Sequence, residues 1–184
     1  MKPTATARRT RGFTLIEVLV AVIVIAIGLL GIAKIQAVAL SSTGVASMRS
    51  LAALEASSLA ASMHADRAYW GSGAIAAPIT VTGLTISNAA LVTAGQCEFG
   101  GADLPCTPTK LAAYDLNKWA AAVNAVLPNA VSTITCSTVV NAPIDCTIQI
   151  SWGENSVAIN AQGASAAAGT AAFNTPTYVL NVEP

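Results

Sequence analysis

Apolar and polar positions are spread very unevenly along this chain. From Phe13 to Ala33 there are 21 residues, with one charge, Glu17, and one hydroxyl, Thr14. A helix of that length reaches roughly 30 Å, the thickness of a bilayer's hydrocarbon core. The helical pattern continues past Lys34 with no proline until Pro78. Met48, Leu51, Leu54 or Glu55, Leu59 and Met63 then recur at helical spacing, so one long helix is predicted to run to about His64 or Asp66, its second half amphipathic.

Beyond it the pattern changes. Residues 65–78, with Tyr69, Trp70 and Gly71-Ser72-Gly73, read as a loop. Ile79–Ile86 reads as a strand with Gly83 as a bulge. Ala112–Leu127 reads as a helix with Leu116, Trp119, Ala120, Val123, Val126 and Leu127 on one face, Asp115 as a candidate cap, and Pro128 as its stop. Val131–Val140 and Ile144–Trp152 form a predicted hairpin around Asn141-Ala142-Pro143. In the second strand, Ile144, Cys146, Ile148, Ile150 and Trp152 alternate with polar residues. Residues 161–176 read as a loop, and Tyr178, Leu180 and Val182 mark a last strand. The expected fold is α+β: a long N-terminal helix packed against a small antiparallel sheet.

Composition sharpens this picture. Charged residues are only 10% and mean hydropathy is +0.61, whereas soluble domains are about 25% charged. Lys2, Arg8, Arg9 and Arg11 stand before the apolar run with no acid among them, and the remainder carries five bases against nine acids. The positive-inside rule leaves residues 1–12 in the cytoplasm and sends the rest outward. Beyond the leader no basic patch suggests nucleic-acid binding.

The cysteines, Cys97, Cys106, Cys136 and Cys146, show no Cys-x-x-Cys spacing, and His64 is the single histidine, which argues against a zinc site. Two short-range pairs, Cys97 with Cys106 and Cys136 with Cys146, make a natural disulfide pattern, although sequence allows three connectivities and free buried thiols are the alternative. Disulfides imply an oxidising compartment.

A secretory signal would have a shorter apolar run and a small-residue cleavage site after it. A plain membrane anchor would not place Glu17 inside a spanning helix, where an acid near the centre costs about 2.5–3.5 kcal/mol and less near an end. The nearest base along the helix, Lys34, is 17 residues away, about 25 Å. The carboxylate's partner should therefore come from another molecule or from a newly made terminus. Cleavage after Gly12 would create such a cation on Phe13, and in a staggered stack that amine could meet a neighbour's Glu17.

Arg11-Gly12-Phe13-Thr14-Leu15-Ile16-Glu17, behind a basic leader and ahead of a full spanning run, resembles the processing site of type IV prepilins. The resemblance implies that a prepilin peptidase cuts after Gly12 and methylates Phe13, and that Glu17 is the assembly carboxylate. One departure is the absence of the proline many major pilins carry in this helix; Gly28 and Gly31 lie in the run instead.

The tract Ala26–Gln36, with Gly28-Leu29-Leu30-Gly31, the Asp115–Trp119 helix and the Cys136, Cys146, Trp152 strand pair are similar to minor pilins of the PilV type. That implies a low-abundance subunit of a tip or priming complex that starts pilus assembly and supports twitching motility or adhesion. Its implied partners are prepilin peptidase, other minor and major pilins, the inner-membrane assembly platform and a tip adhesin. The implied segments are a removed cytoplasmic leader (1–12), a transmembrane assembly half-helix (13–34), an amphipathic half-helix (35–66) and a periplasmic α+β domain (67–184). The expected location is the inner membrane and then the pilus surface. A minor pseudopilin of a type II secretion system shares the same start and is the alternative.

Other classes find little support. No Gly-x-Ser-x-Gly or phosphate loop occurs, and His64 has no evident catalytic companion, so neither enzyme activity nor a cofactor is expected. Trp70, Trp119 and Trp152 could form an exposed recognition surface but more often such residues sit in a core. DNA uptake would have to use Lys110 and Lys118.

Overall fold

The computed structural model describes residues 12–73, 75–98, 100–102, 105–138, 142–154 and 175–184. Its elements run α1 (Leu15–Ala65), α2 (Arg67–Trp70), β1 (Ile79–Thr82), β2 (Thr85–Ile86), α3 (Pro108–Val126), β3 (Val131–Cys136), β4 (Cys146–Ser151) and β5 (Thr177–Val182). The strands form one antiparallel sheet in the order β2-β1-β3-β4-β5. The architecture is α+β, as the pattern predicts. The chain divides into two compact units, Met1–Leu40 and Ser41–Pro184.

In the second unit, the last part of α1, α3 and one face of the sheet share a hydrophobic core. On α1, Ala52, Ala56, Leu59, Ala60 and Met63 are buried, with Met48 and Leu51 packed at the margin. The expected stripe is thus turned at its centre. Leu54 is 64% exposed and Glu55 is half-buried. At 100° per residue, position 54 lies about 200° from both Ala52 and Ala56, on the far side of the helix. A hydropathy reading favours leucine over alanine, but the whole 3.6-residue stripe decides which side faces inward.

Three boundaries differ from expectation. The stretch after α1 contains a short helix, α2, which buries Trp70 and stacks Tyr69 edge-to-face on it at 5.3 Å. The expected single strand at 79–86 is a hairpin: Val81 faces Ile86 and Thr82 faces Thr85. Its two-residue turn begins with Gly83 at φ +58°, the left-handed conformation glycine adopts without steric cost. Finally, α3 starts four residues earlier than Ala112. Thr107, not Asp115, caps it, its hydroxyl accepting from the Lys110 N–H at 3.4 Å, and Pro108 fills the first turn. Its inner face is Ala112, Ala113, Leu116, Trp119, Ala120 and Val123, followed by buried Leu127, while Val126 is on the exposed side.

The β3–β4 ladder is shorter than expected and ends at Cys136 opposite Cys146. Cys146, Ile148 and Ile150 point into the core while Thr147, Gln149 and Ser151 point away. β5 pairs with β4, setting Leu180 opposite Ile148 and Val182 opposite Cys146. Val139, Val140 and Asn141 of the expected hairpin, and residues 161–174 of the expected loop, lie outside the described residues.

Candidate functional site

In the first unit, the Thr14 carbonyl accepts from the backbone N–H of Glu17 at 3.1 Å and of Val18 at 3.3 Å, which closes the opening turn of α1. Glu17 therefore sits in the first turn, where unpaired N–H groups and the helix dipole favour an anion. Ahead of it Gly12 and Phe13 lie outside the helix and are exposed, Phe13 by 81%. A methyl group added at Gly12 would meet nothing within 4 Å. Packing among the described residues therefore makes no demand for glycine there.

The apolar residues that follow, from Leu15 to Ile35, are exposed on every side of the helix. An 18-residue window within α1 has a mean hydropathy of 3.0 with none of it buried. A helix apolar all round belongs in lipid or within a larger body. Among the described residues no ion pair reaches Glu17. Gly28, Gly31 and Gly44 are likewise open, with nothing within 4 Å of an added methyl group. Each weakens the helix by about 1 kcal/mol relative to alanine, and no contact among the described residues requires them. Such notches suit close approach by helices of other chains.

In the second unit, disulfides join Cys97 to Cys106 in the segment before α3, and Cys136 to Cys146 at the end of the β3–β4 ladder. Trp70, Trp119 and Trp152 are buried, so they present no exposed aromatic surface. His64 is exposed near the end of α1. Among the described residues, no group of three or more His, Cys, Asp or Glu is placed to hold a metal ion.

Sequence reading singled out neither of two polar clusters in this unit. Glu154, buried beside the end of β4, accepts from the Trp152 indole N–H and from Arg49 on α1. Glu55, Ser58 and Ser62 of α1 and Asp115, Lys118, Trp119 and Ala122 of α3 border a depression of about 270 Å³. Burial raises the Glu55 and Asp115 carboxyls above their ordinary range, and the charge of Asp66 pushes Asp115 further up. Asp66 is itself raised by burial, partly offset by the backbone N–H groups of Tyr69 and Ala112. Helical periodicity places Glu55 and Asp115 beside their apolar stripes, but no local signal says that the two helices bring them to one place.

Residues 7–33 match the family described as Prokaryotic N-terminal methylation motif, the type IV pilin-like prepilin signal. No curated protein and no solved structure matches the chain.

Proposed function

We propose that this chain is a minor pilin precursor of the PilV type, cut after Gly12, methylated on Phe13, and drawn through its N-terminal helix into the tip or priming complex of a type IV pilus. The motif at residues 7–33 supports a type IV pilin-like or pseudopilin subunit, and it implies processing by prepilin peptidase and assembly with other pilins. The observation that carries the reading is Glu17: a carboxylate in the first turn of a helix that is apolar on all sides, with no ion pair among the described residues.

In lipid or in a fibre core such a group gains most from a fixed positive end nearby. Removal of residues 1–12 creates that end on Phe13 of each subunit. The prepilin motif and the apolar helix together indicate membrane anchoring. We place the basic leader in the cytoplasm, residues 13–34 across the inner membrane, and the disulfide-bearing domain in the periplasm before export to the pilus. The role is structural: the chain is read as a fibre subunit and not as an enzyme.

The reading is tested by shearing pili from cells that produce the protein. The mature chain should be found there together with other pilins, beginning at methylated Phe13. A mature terminus elsewhere overturns the processing scheme. Co-purification with the pseudopilins of a type II secretion system, in place of pilins, would favour the pseudopilin alternative, which the shared Gly-Phe-Thr-Leu-Ile-Glu start also fits.

A further inference from the structure

The sheet has two unlike edges. At one end β2 consists of Thr85 and Ile86 alone, and so short a strand is one way in which proteins close a sheet edge to further pairing. At the other end β5 runs for six residues and pairs with β4 on one side. Its sequence, Thr-Tyr-Val-Leu-Asn-Val, has no charge and no proline to protect it. The ladder register says which groups this edge offers. The Trp152 N–H donates to the Pro176 carbonyl, which makes those two a hydrogen-bonded pair of the antiparallel ladder. Bonded pairs recur at every second residue, so Tyr178, Leu180 and Val182 turn their backbone groups to Ile150, Ile148 and Cys146. Thr177, Val179 and Asn181 therefore turn their N–H and C=O groups outward, and among the described residues nothing takes them.

The side chains add an independent observation. Over β4 the inner face of the sheet is closed, with Cys146, Ile148 and Ile150 buried. On β5, Tyr178 and Leu180 pack against the same core but are only half-buried. On the outer face Val179 is 51% exposed. One more strand beside β5 would satisfy the outward backbone groups and cover all three side chains.

We propose that β5 takes on a sixth strand, an extended and uncharged segment of a different protein in the fibre, with apolar residues at alternate positions beside Tyr178 and Leu180. The proposal rests on the fibre-subunit reading above. Backbone groups in a row select an extended peptide, and the uncharged strand selects an uncharged one. A second copy of this chain does not fit. Antiparallel pairing of two β5 strands needs a two-fold axis perpendicular to the sheet. That axis reverses the part of α1 that packs along the sheet, whereas chains anchored in one membrane run the same way. Parallel pairing of two β5 strands sets the inner face of one copy beside the outer face of the other, so Tyr178 and Leu180 stay uncovered by apolar partners. Pairing β5 with the β2 edge of another copy engages two residues only.

The test uses the full-length protein, in detergent and in sheared fibres. Site-resolved hydrogen exchange at the Thr177, Val179 and Asn181 amides should be fast in the isolated protein and about tenfold slower in fibres, while the Tyr178, Leu180 and Val182 amides stay slow in both. Val179→Pro removes one outward N–H, at a place where an edge strand tolerates proline. It should be cleaved and kept in the membrane as well as wild type, yet enter fibres about tenfold less, the change that 1.4 kcal/mol of lost contact produces. Val179→Thr keeps the N–H and should enter normally. Slow exchange at the three amides in the dilute isolated protein means that its own chain covers the edge, and slowing on concentration alone means that a second copy does; either overturns the proposal. So do unchanged exchange in fibres, normal entry of Val179→Pro, and depletion of Val179→Thr to the same extent. Should Val179→Pro fail to accumulate, the exchange comparison decides. Absence of the wild type from fibres refutes the fibre-subunit reading itself, and this proposal with it.

Discussion

Arg49 and Glu154, 105 positions apart in the chain, meet at 3.4 Å through the guanidinium Nε and the carboxylate Oε1. The same oxygen accepts from the Trp152 indole at 3.2 Å, so one carboxylate fastens the end of β4 to α1 within the second unit. The two partners differ in exposure, 62% for the Arg49 side chain and 4% for that of Glu154. Glu154→Ala is expected to destabilise by about 1–3 kcal/mol, because it strands the buried indole N–H. Arg49→Ala should cost about 0–1 kcal/mol, as an exposed partner does, and Glu154→Gln should stay close to it because the amide oxygen still accepts from Trp152. Chemical unfolding of the purified protein in detergent measures the order of the three.

Replacing Gly12 with a larger residue should abolish processing and leave folding untouched, since among the described residues no atom beyond its chain neighbours lies within 4 Å of the added carbon. Co-expression with prepilin peptidase reads the first effect as a missing mobility shift. An unchanged unfolding midpoint reads the second. A lowered midpoint would mean that the glycine serves the fold after all.

Glu17→Ala and Glu17→Val should insert and be cleaved normally but be depleted from sheared fibres. Removing one member of a desolvated ion pair costs about 3–5 kcal/mol because it leaves the other charge uncompensated. Quantifying the variant in membrane and fibre fractions separates the two steps. Normal incorporation would show that the carboxylate needs no partner.

The Cys136–Cys146 bond closes a short loop at the end of a ladder, with a sequence separation of 10. For a loop of that size the chain-entropy account gives about 3 kcal/mol of stabilisation. The Cys136→Ala/Cys146→Ala double variant should therefore unfold at lower denaturant concentration. The Cys97→Ala/Cys106→Ala variant, with a separation of 9, should lose a similar amount.

Acidification should stabilise the second unit through Glu55, Asp66 and Asp115. Burial raises each folded-state carboxyl above its ordinary value, 4.5 for Glu and 3.8 for Asp. The folded state then holds more protons than the unfolded state between the ordinary and the raised value, so stability falls as pH rises through that window. The penalty is fully present above the raised values and is relieved as pH drops towards the ordinary ones. Unfolding curves taken from pH 7 downward should show the gain before general acid unfolding sets in, and Asp66→Asn should reduce it. A monotonic loss of stability over the same range would contradict this account.

Local chemistry made much of this protein readable without a structure. Twenty-one nearly uncharged residues after a basic cluster predict a helix long and apolar enough to span a bilayer, because bilayer thickness and helical rise are fixed lengths. The period-2 pattern of Cys146, Ile148 and Ile150 gives β4 and its inner face, because successive side chains on a strand must alternate. Gly12, Phe13 and Glu17 fall within the matched motif at residues 7–33, which is a stretch of contiguous sequence. Tertiary structure alone decided that Thr107 caps α3, that Leu54 faces outward while Ala52 and Ala56 face inward, and that Glu154 finds Arg49. It also decided that Glu55 and Asp115 line one depression. Apart from the Thr107 cap, which is a local contact to Lys110, each depends on contacts between distant segments, where the side available for packing is set by the partner element and not by the hydropathy of any single residue.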